Sequence, residues 1–282
     1  VNEVVHMKLK LPLLLVLVCA PVLRPQRAHK ALAHTGCDTW QDTEMDPRVR
    51  ITAQWTKSIG ASGDPGRGVI AWIEEQPLFT DFVDQQLSFI NSAVWLATDS
   101  VEGTDGLYWI ELGRTYDWDD VNGAYTHHDH FYWGRSAKEG SSPFFRMWYI
   151  SYPLPKSNGT MYRYKIQWNP NADADGGYDI GLRIEGDSTN YHVNTAHINR
   201  PNAYRVYLGL ESKYCDGNDG DSYYNYVAPI YTNSWWWTDD ENQLHQIVNP
   251  SIPSNLNEPP AHIGLYPSGD SACYHMNRAT WC

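Results

Sequence analysis

Basic residues are scarce in this chain: 21 Lys and Arg stand against 33 Asp and Glu, a formal charge of −12 with histidines neutral. That deficit argues against nucleic acid or an anionic membrane as partner, since either needs a basic face. It also disfavours an anionic substrate clamped by arginines. Helical periodicity is missing too; no window sustains an apolar repeat of 3.6 residues. Beyond residue 33 no apolar run is long enough to cross a bilayer. Neither Gly-x-Ser-x-Gly nor a glycine-rich loop after a strand occurs, which removes the usual serine-nucleophile and nucleotide-binding signatures. Cysteines number five, and no two are spaced as a Cys-x-x-Cys zinc pair.

The long apolar run is N-terminal. Met7-Lys8-Leu9-Lys10 precedes "LPLLLVLVCAPVL" (11–23), and Ala31-Leu32-Ala33 offers a small-x-small cleavage site. Residues 1–33 therefore predict a secretory signal peptide, too short and wrongly flanked for a membrane span. The mature protein is expected to be secreted, with no membrane partner. Cys37, Cys215, Cys273 and Cys282 follow the cleavage site, and an even number in an exported chain predicts two disulfides. Three connectivities are open. The preferred one pairs Cys37 with Cys215, tying down the N-terminal segment, and Cys273 with Cys282, closing a short C-terminal loop.

Aromatic residues are plentiful beyond residue 33: 13 Trp and 19 Tyr, with little Ala, Leu or Lys in that part of the chain, make a β composition. Short alternating runs recur between Gly, Asp, Asn and Pro turns, among them "RGVIAWIEE" (67–75), "GLYWIELGR" (106–114), "MYRYKIQW" (161–168) and "AYRVYLGLES" (203–212). Such spacing predicts an all-β fold, an antiparallel jelly-roll-like (concanavalin-like) β-sandwich in a single domain. Residues 34–66 read as an irregular strap, 67–232 as the sandwich, and 233–282 as a Trp-rich extension packed on the same domain.

Alternation in "LYWIELGR" aims Tyr108, Ile110 and Leu112 at one face and Trp109 and Glu111 at the other. A carboxylate among rings has its ionisation disfavoured by desolvation, which suits a general acid or base; the plainer reading is a strand Glu paired with an Arg or exposed. Glu211 repeats the pattern, sharing its face with Tyr207 while Val206, Leu208 and Leu210 pack. Glu185 competes, but the following turn places it near a strand end, where it would be solvated. His128 and His130 share a strand face; no third ligand stands at a diagnostic spacing, so His130 is read as a substrate-positioning donor. Asn171-x-Asp173-x-Asp175-Gly176 resembles the first half of a calcium loop, but its twelfth position is Leu182. The alternatives are a structural calcium site and an Asx-rich hairpin turn. Asn158-Gly159-Thr160 fits an N-glycosylation acceptor.

The succession "NSAVWLATD", "GLYWIELGR", "HDHFYWG" is similar to neprosin-type glutamic peptidases, and its order resembles the smaller fungal glutamic peptidases. Those are β-sandwiches whose concave face activates water for peptide hydrolysis. The resemblance covers about residues 67–215. It implies that Trp95 is the strand tryptophan, Glu111 the first catalytic position, Gly113 the glycine after it, and Tyr132-Trp133 the aromatic pair. Order and spacing alone make Glu211 the second glutamate. Glu111 stands where the fungal group has glutamine, and the cysteines do not follow neprosin.

The leading expectation is a secreted glutamic endopeptidase, with Glu111 and Glu211 as catalytic pair and Trp95, Trp109, His130, Tyr132 and Tyr207 holding a peptide. No cofactor is required. The alternative is a non-catalytic carbohydrate- or protein-binding extracellular module; a further one is a glycoside hydrolase with a polysaccharide substrate, whose two carboxyls would lie about 5–5.5 Å apart. Separation beyond about 10 Å favours the binding module.

Overall fold

The computed structural model describes residues 50–59, 66–80, 89–98, 108–121, 124–139, 142–150, 159–172, 174, 176–188, 191–198, 200–213, 225–248, 250–252, 261–265 and 272–276, in places by backbone alone. The described residues contain fifteen strands and no helix. In chain order these are β1 (Arg50–Ser58), β2 (Gly68–Glu75), β3 (Leu78–Thr80), β4 (Phe89–Ala97), β5 (Trp109–Val121), β6 (Ala124–Glu139), β7 (Ser142–Tyr149) and β8 (Thr160–Asn169). Then come β9 (Gly177–Ile184), β10 (Tyr191–Ala196), β11 (Arg205–Lys213), β12 (Asn225–Thr238), β13 (Leu244–Gln246), β14 (Ala261–Leu265) and β15 (Ala272–Met276).

Two antiparallel sheets face each other. The first runs β1-β11-β4-β5-β6-β7; the second runs β10-β9-β8-β2-β12-β15-β14, with β3 and β13 also paired to β12. Side-chain alternation explains the packing. Val69, Ala71 and Ile73 of β2 are fully buried, while Ile70 and Trp72 between them are only partly so. Val94 and Leu96, Ile110 and Leu112, and Leu208 and Leu210 supply the opposing layer, each fully buried. Large rings fill the space between: Trp235, Tyr162, Tyr164 and Phe131 are buried, and Trp133 stacks on Trp148 at 4.2 Å. Such tight apolar burial is the main favourable contribution to folding.

Two boundaries differ from expectation. Residues 50–58 are no irregular strap; β1 pairs along its whole length with β11, from Arg50↔Lys213 to Ser58↔Arg205, and forms the edge of the first sheet. Nor is the Trp-rich segment an extension, since β12 lies inside the second sheet between β2 and β15. Three consecutive tryptophans mask the alternation there: Trp235 points into the core and is fully buried, while Trp236 pairs with Ile70 on the outer face. Residues 1–33, expected to be a signal peptide, and Asn158, Cys37, Cys215 and Cys282 lie outside the described residues. Cys273 is disulfide-bonded, its partner lying outside them.

Candidate functional site

Register builds the outer face of the first sheet, the face turned away from the second. Directly paired residues share a face, so Tyr207, Trp95, Glu111 and Gly134 form one row across β11, β4, β5 and β6. The next row is Gly209, Ala93, Gly113, Tyr132 and, on β7, Tyr149. A third runs Glu211, Asn91, Thr115, His130. The middle row is low over β11, β4 and β5, because two glycines and an alanine put no more than one methyl group above the backbone. Gly113 has to be glycine for another reason as well: a Cβ there would sit 2.3 Å from the Ser92 carbonyl oxygen and 2.6 Å from Ala93 Cβ.

Glu111 stands on the face that alternation predicts. The Trp95 indole N–H donates to its Oε2 at 2.6 Å, and only 4 % of the residue is exposed. Ala93, Trp95 and Tyr132 pack into a buried cluster, with Trp109, Met147, Tyr149 and Tyr207 partly buried around it. A buried carboxylate is tolerated where hydrogen bonds meet it, and the indole does so here.

Glu211 shares the face but not the place. It pairs with Asn91 while Glu111 pairs with Trp95, four residues away along β4 and with β4 between the two. At ~3.3 Å per residue and ~4.8 Å per strand, their backbones stand roughly 16 Å apart. No carboxyl dyad of the expected kind forms in this arrangement. His130 is likewise in the Glu211 row, paired with Thr115 and stacked on Tyr149 at 4.0 Å, so it does not adjoin Glu111. Between Glu211 and His130, Asn91 Oδ1 and Thr115 Oγ1 are buried with no hydrogen-bond partner among the described residues.

No family model and no curated protein matches this chain. Among solved structures it is similar to a glycoside hydrolase family 16 endo-glucanase from Bacteroides ovatus, at 8% identity and TM-score 0.37, over 64% of this chain and 78% of that one. The Bacteroides ovatus mixed linkage glucan PUL GH16 protein, in complex with G4G4G3G product, gives 8% identity and TM-score 0.35 over 79% and 78% of the two chains. For alginate lyase Aly36B the values are 11%, 0.24, and 59% and 80%. Likeness at this level transfers neither residues nor activity.

A second polar cluster lies between the sheets, and sequence reasoning passed over it. Arg114 of β5 forks onto Asp129 of β6, Nε to Oδ1 at 2.8 Å and Nη2 to Oδ2 at 2.7 Å, and its Nη1 donates to the Gln76 carbonyl at 3.2 Å. From β2, Glu75 is wholly buried; its Oε1 accepts from the Tyr164 hydroxyl and, at 3.4 Å, from Ser92 Oγ. Burial pushes the Glu75 carboxyl up to about 7, against the pull of Arg114 and the two hydroxyls. Burial also pulls on Arg114, but the bond to Asp129 and the Glu75 charge outweigh it and hold the guanidinium above its ordinary range. The signal was there: alternation aligns Glu75 with Val69, Ala71 and Ile73, and Arg114 with Ile110 and Leu112.

Of the calcium candidates, Asp173 and Asp175 lie outside the described residues, and Asn171 is exposed. Its backbone N–H donates to Asn169 Oδ1 at 2.9 Å, an Asx turn. Among the described residues no group of three His, Cys, Asp or Glu could hold a metal ion. Glu185 is exposed in the turn after β9, as its position predicts.

Proposed function

We propose that the outer face of the first sheet binds a glycan, as a non-catalytic module. The observation that carries this is the pairing of two unlike borders across a floor of small residues, buried over most of its extent and opening to solvent at Trp109, Tyr207, Tyr149 and His130. Rings of Tyr207, Trp95, Trp109, Tyr132 and Tyr149 gather around Glu111, while Glu211, Asn91, Thr115 and His130 form a polar row. Sugars present the same duality: apolar ring faces stack on aromatics, and hydroxyls both donate and accept. The wide offset between Glu111 and Glu211 speaks for binding rather than for two-carboxylate hydrolysis.

Affinity electrophoresis through gels containing neutral polysaccharides (mixed-linkage β-glucan, xyloglucan, mannan) tests this. Retardation of the wild type by at least one is expected, weakened about tenfold in Trp109→Ala and Tyr207→Ala, the partly exposed rings, with no reducing ends released. Unretarded migration through all of them would overturn the reading. Peptide hydrolysis is the second reading; in its favour, the two positions that the glutamic-peptidase resemblance aligns, Trp95 and Glu111, are directly paired and hydrogen-bonded. Casein cleavage at about pH 3–5 that Glu111→Gln abolishes, with the fold intact, would put it first.

A further inference from the structure

The outer face of the second sheet has a character of its own. Trp72 of β2, Arg163 of β8 and Arg183 of β9 are directly paired in one row. Trp236, Ile70 and Lys165 make the adjoining row, which β9 and β10 continue with Gly181 and His192. All of these but Gly181 and His192 are large, partly exposed side chains, and His192 is exposed. Three cations and two tryptophans thus share one patch on a chain of net charge −12.

Physical cost marks the patch as more than solvated surface. Like charges directly opposed across strands are destabilising, and Arg163 faces Arg183 in register. Partial burial, then the Arg183 charge, lower the Arg163 pKa. The Arg163 guanidinium lies over the Trp72 ring, 6.0 Å from its centroid, and Arg183 Nε donates to the Asp187 carbonyl. Both planes are therefore held by their neighbours. Acidic groups stand at the margins, with Glu185 exposed and Asp187 following Arg183 in the turn after β9. Glu74 accepts from the Gln76 amide at 3.0 Å, and Asp179 is engaged by Asn169 at 2.9 Å and by Thr195 and His192.

From this juxtaposition we propose that the Trp72–Arg163–Arg183 row, with Lys165 and Trp236, is a second binding surface, for an acidic polysaccharide. Guanidinium forks match carboxylate and sulfate oxygens. Flat indoles beside them match sugar rings, and a nucleic acid is disfavoured because it would run on from a three-cation patch over an acidic surface. This surface is independent of the neutral-glycan face on the first sheet.

Gel retardation by polygalacturonate in low salt tests it. The wild type is expected to be retarded and released by high salt. Arg163→Gln with Arg183→Gln should weaken binding about tenfold or more, and Trp72→Ala should weaken it too. Trp109→Ala, on the opposite sheet, should leave it unchanged. The double variant should still unfold in one cooperative thermal transition, so that lost retardation reports the surface and not the fold. Wild-type migration unaffected by polygalacturonate, or equal retardation of the double variant, would overturn the proposal. So would equal retardation by single-stranded DNA, which would mark a general polyanion surface.

Discussion

Glu75 shows how a single buried carboxyl shapes the pH response of the whole domain. Free in the unfolded chain it ionises near 4.5; folded, it holds its proton to about 7. Below pH 4.5 both states are protonated and burial is uncontested. As pH rises through the interval to 7, the unfolded state alone gains by ionising, so native stability falls. Above 7 the full penalty applies, about 3 kcal/mol. Glu75→Gln should remove this decline: in urea titrations at pH 5 and pH 8, its stability relative to wild type is expected to improve by up to about 3 kcal/mol at the higher pH. A difference that stays constant with pH would show that Glu75 is not the titrating group. Arg114→Met leaves Asp129 without its fork and Glu75 without a neighbouring positive charge. Breaking a buried pair from one side costs about 3 kcal/mol, so a clear fall in the urea midpoint at pH 7 is expected.

At the scale of elements, the β4–β5 pair sets the candidate site. Its close approach rests on Gly113, where a methyl group would strike the Ser92 carbonyl and Ala93. Since one obstacle is backbone, the strands rather than a side chain must move. Gly113→Ala is expected to cost about 2 kcal/mol and to loosen the Trp95–Glu111 hydrogen bond two residues away, seen as faster exchange of the Trp95 indole proton by NMR. Unaltered exchange and stability would mean that the strands tolerate the extra atom. In the second sheet, β12 contributes Trp235, a fully buried indole in the core. Trp235→Ala is expected to lower stability by about 3–5 kcal/mol, measured by thermal or urea unfolding.

For the molecule as a whole, the strand order matters most. β12 is late in the chain yet lies between β2 and β15, and β1 closes the first sheet against β11. Neither sheet is complete until distant segments meet, which makes for slow folding in the range of milliseconds to seconds. Ending the chain after Lys213 would strip β2 of its β12 neighbour and expose a row of unpaired backbone groups. Such a fragment is expected in the insoluble fraction, whereas a detachable extension would leave a soluble, cooperatively melting protein.

The sequence alone determined the fold class and the facing of each strand residue, because alternation with a period of two is a local property of extended backbone. It placed Glu111 beside Trp109 and away from Ile110 and Leu112, and the same rule, applied to "VIAWIEE" and "IELGR", would have put Glu75 and Arg114 in the core. Alternation was hidden where three tryptophans follow one another in β12, and it is broken where the register shifts, at His192/Asn194 in β10 and at Val227/Ile230 and Thr232/Ser234 in β12. Register was beyond its reach. Whether Glu111 meets Glu211 depends on how β11 and β5 slide along β4, a choice fixed by the packing of residues far apart in the chain. That sliding set the glutamates four residues apart along β4 and gave Glu111 the Trp95 indole as partner; in the second sheet the register of β8 against β9 brought Arg163 opposite Arg183. Composition sums over the chain and reports an acidic protein; only the pairing of strands decides where its few cations gather.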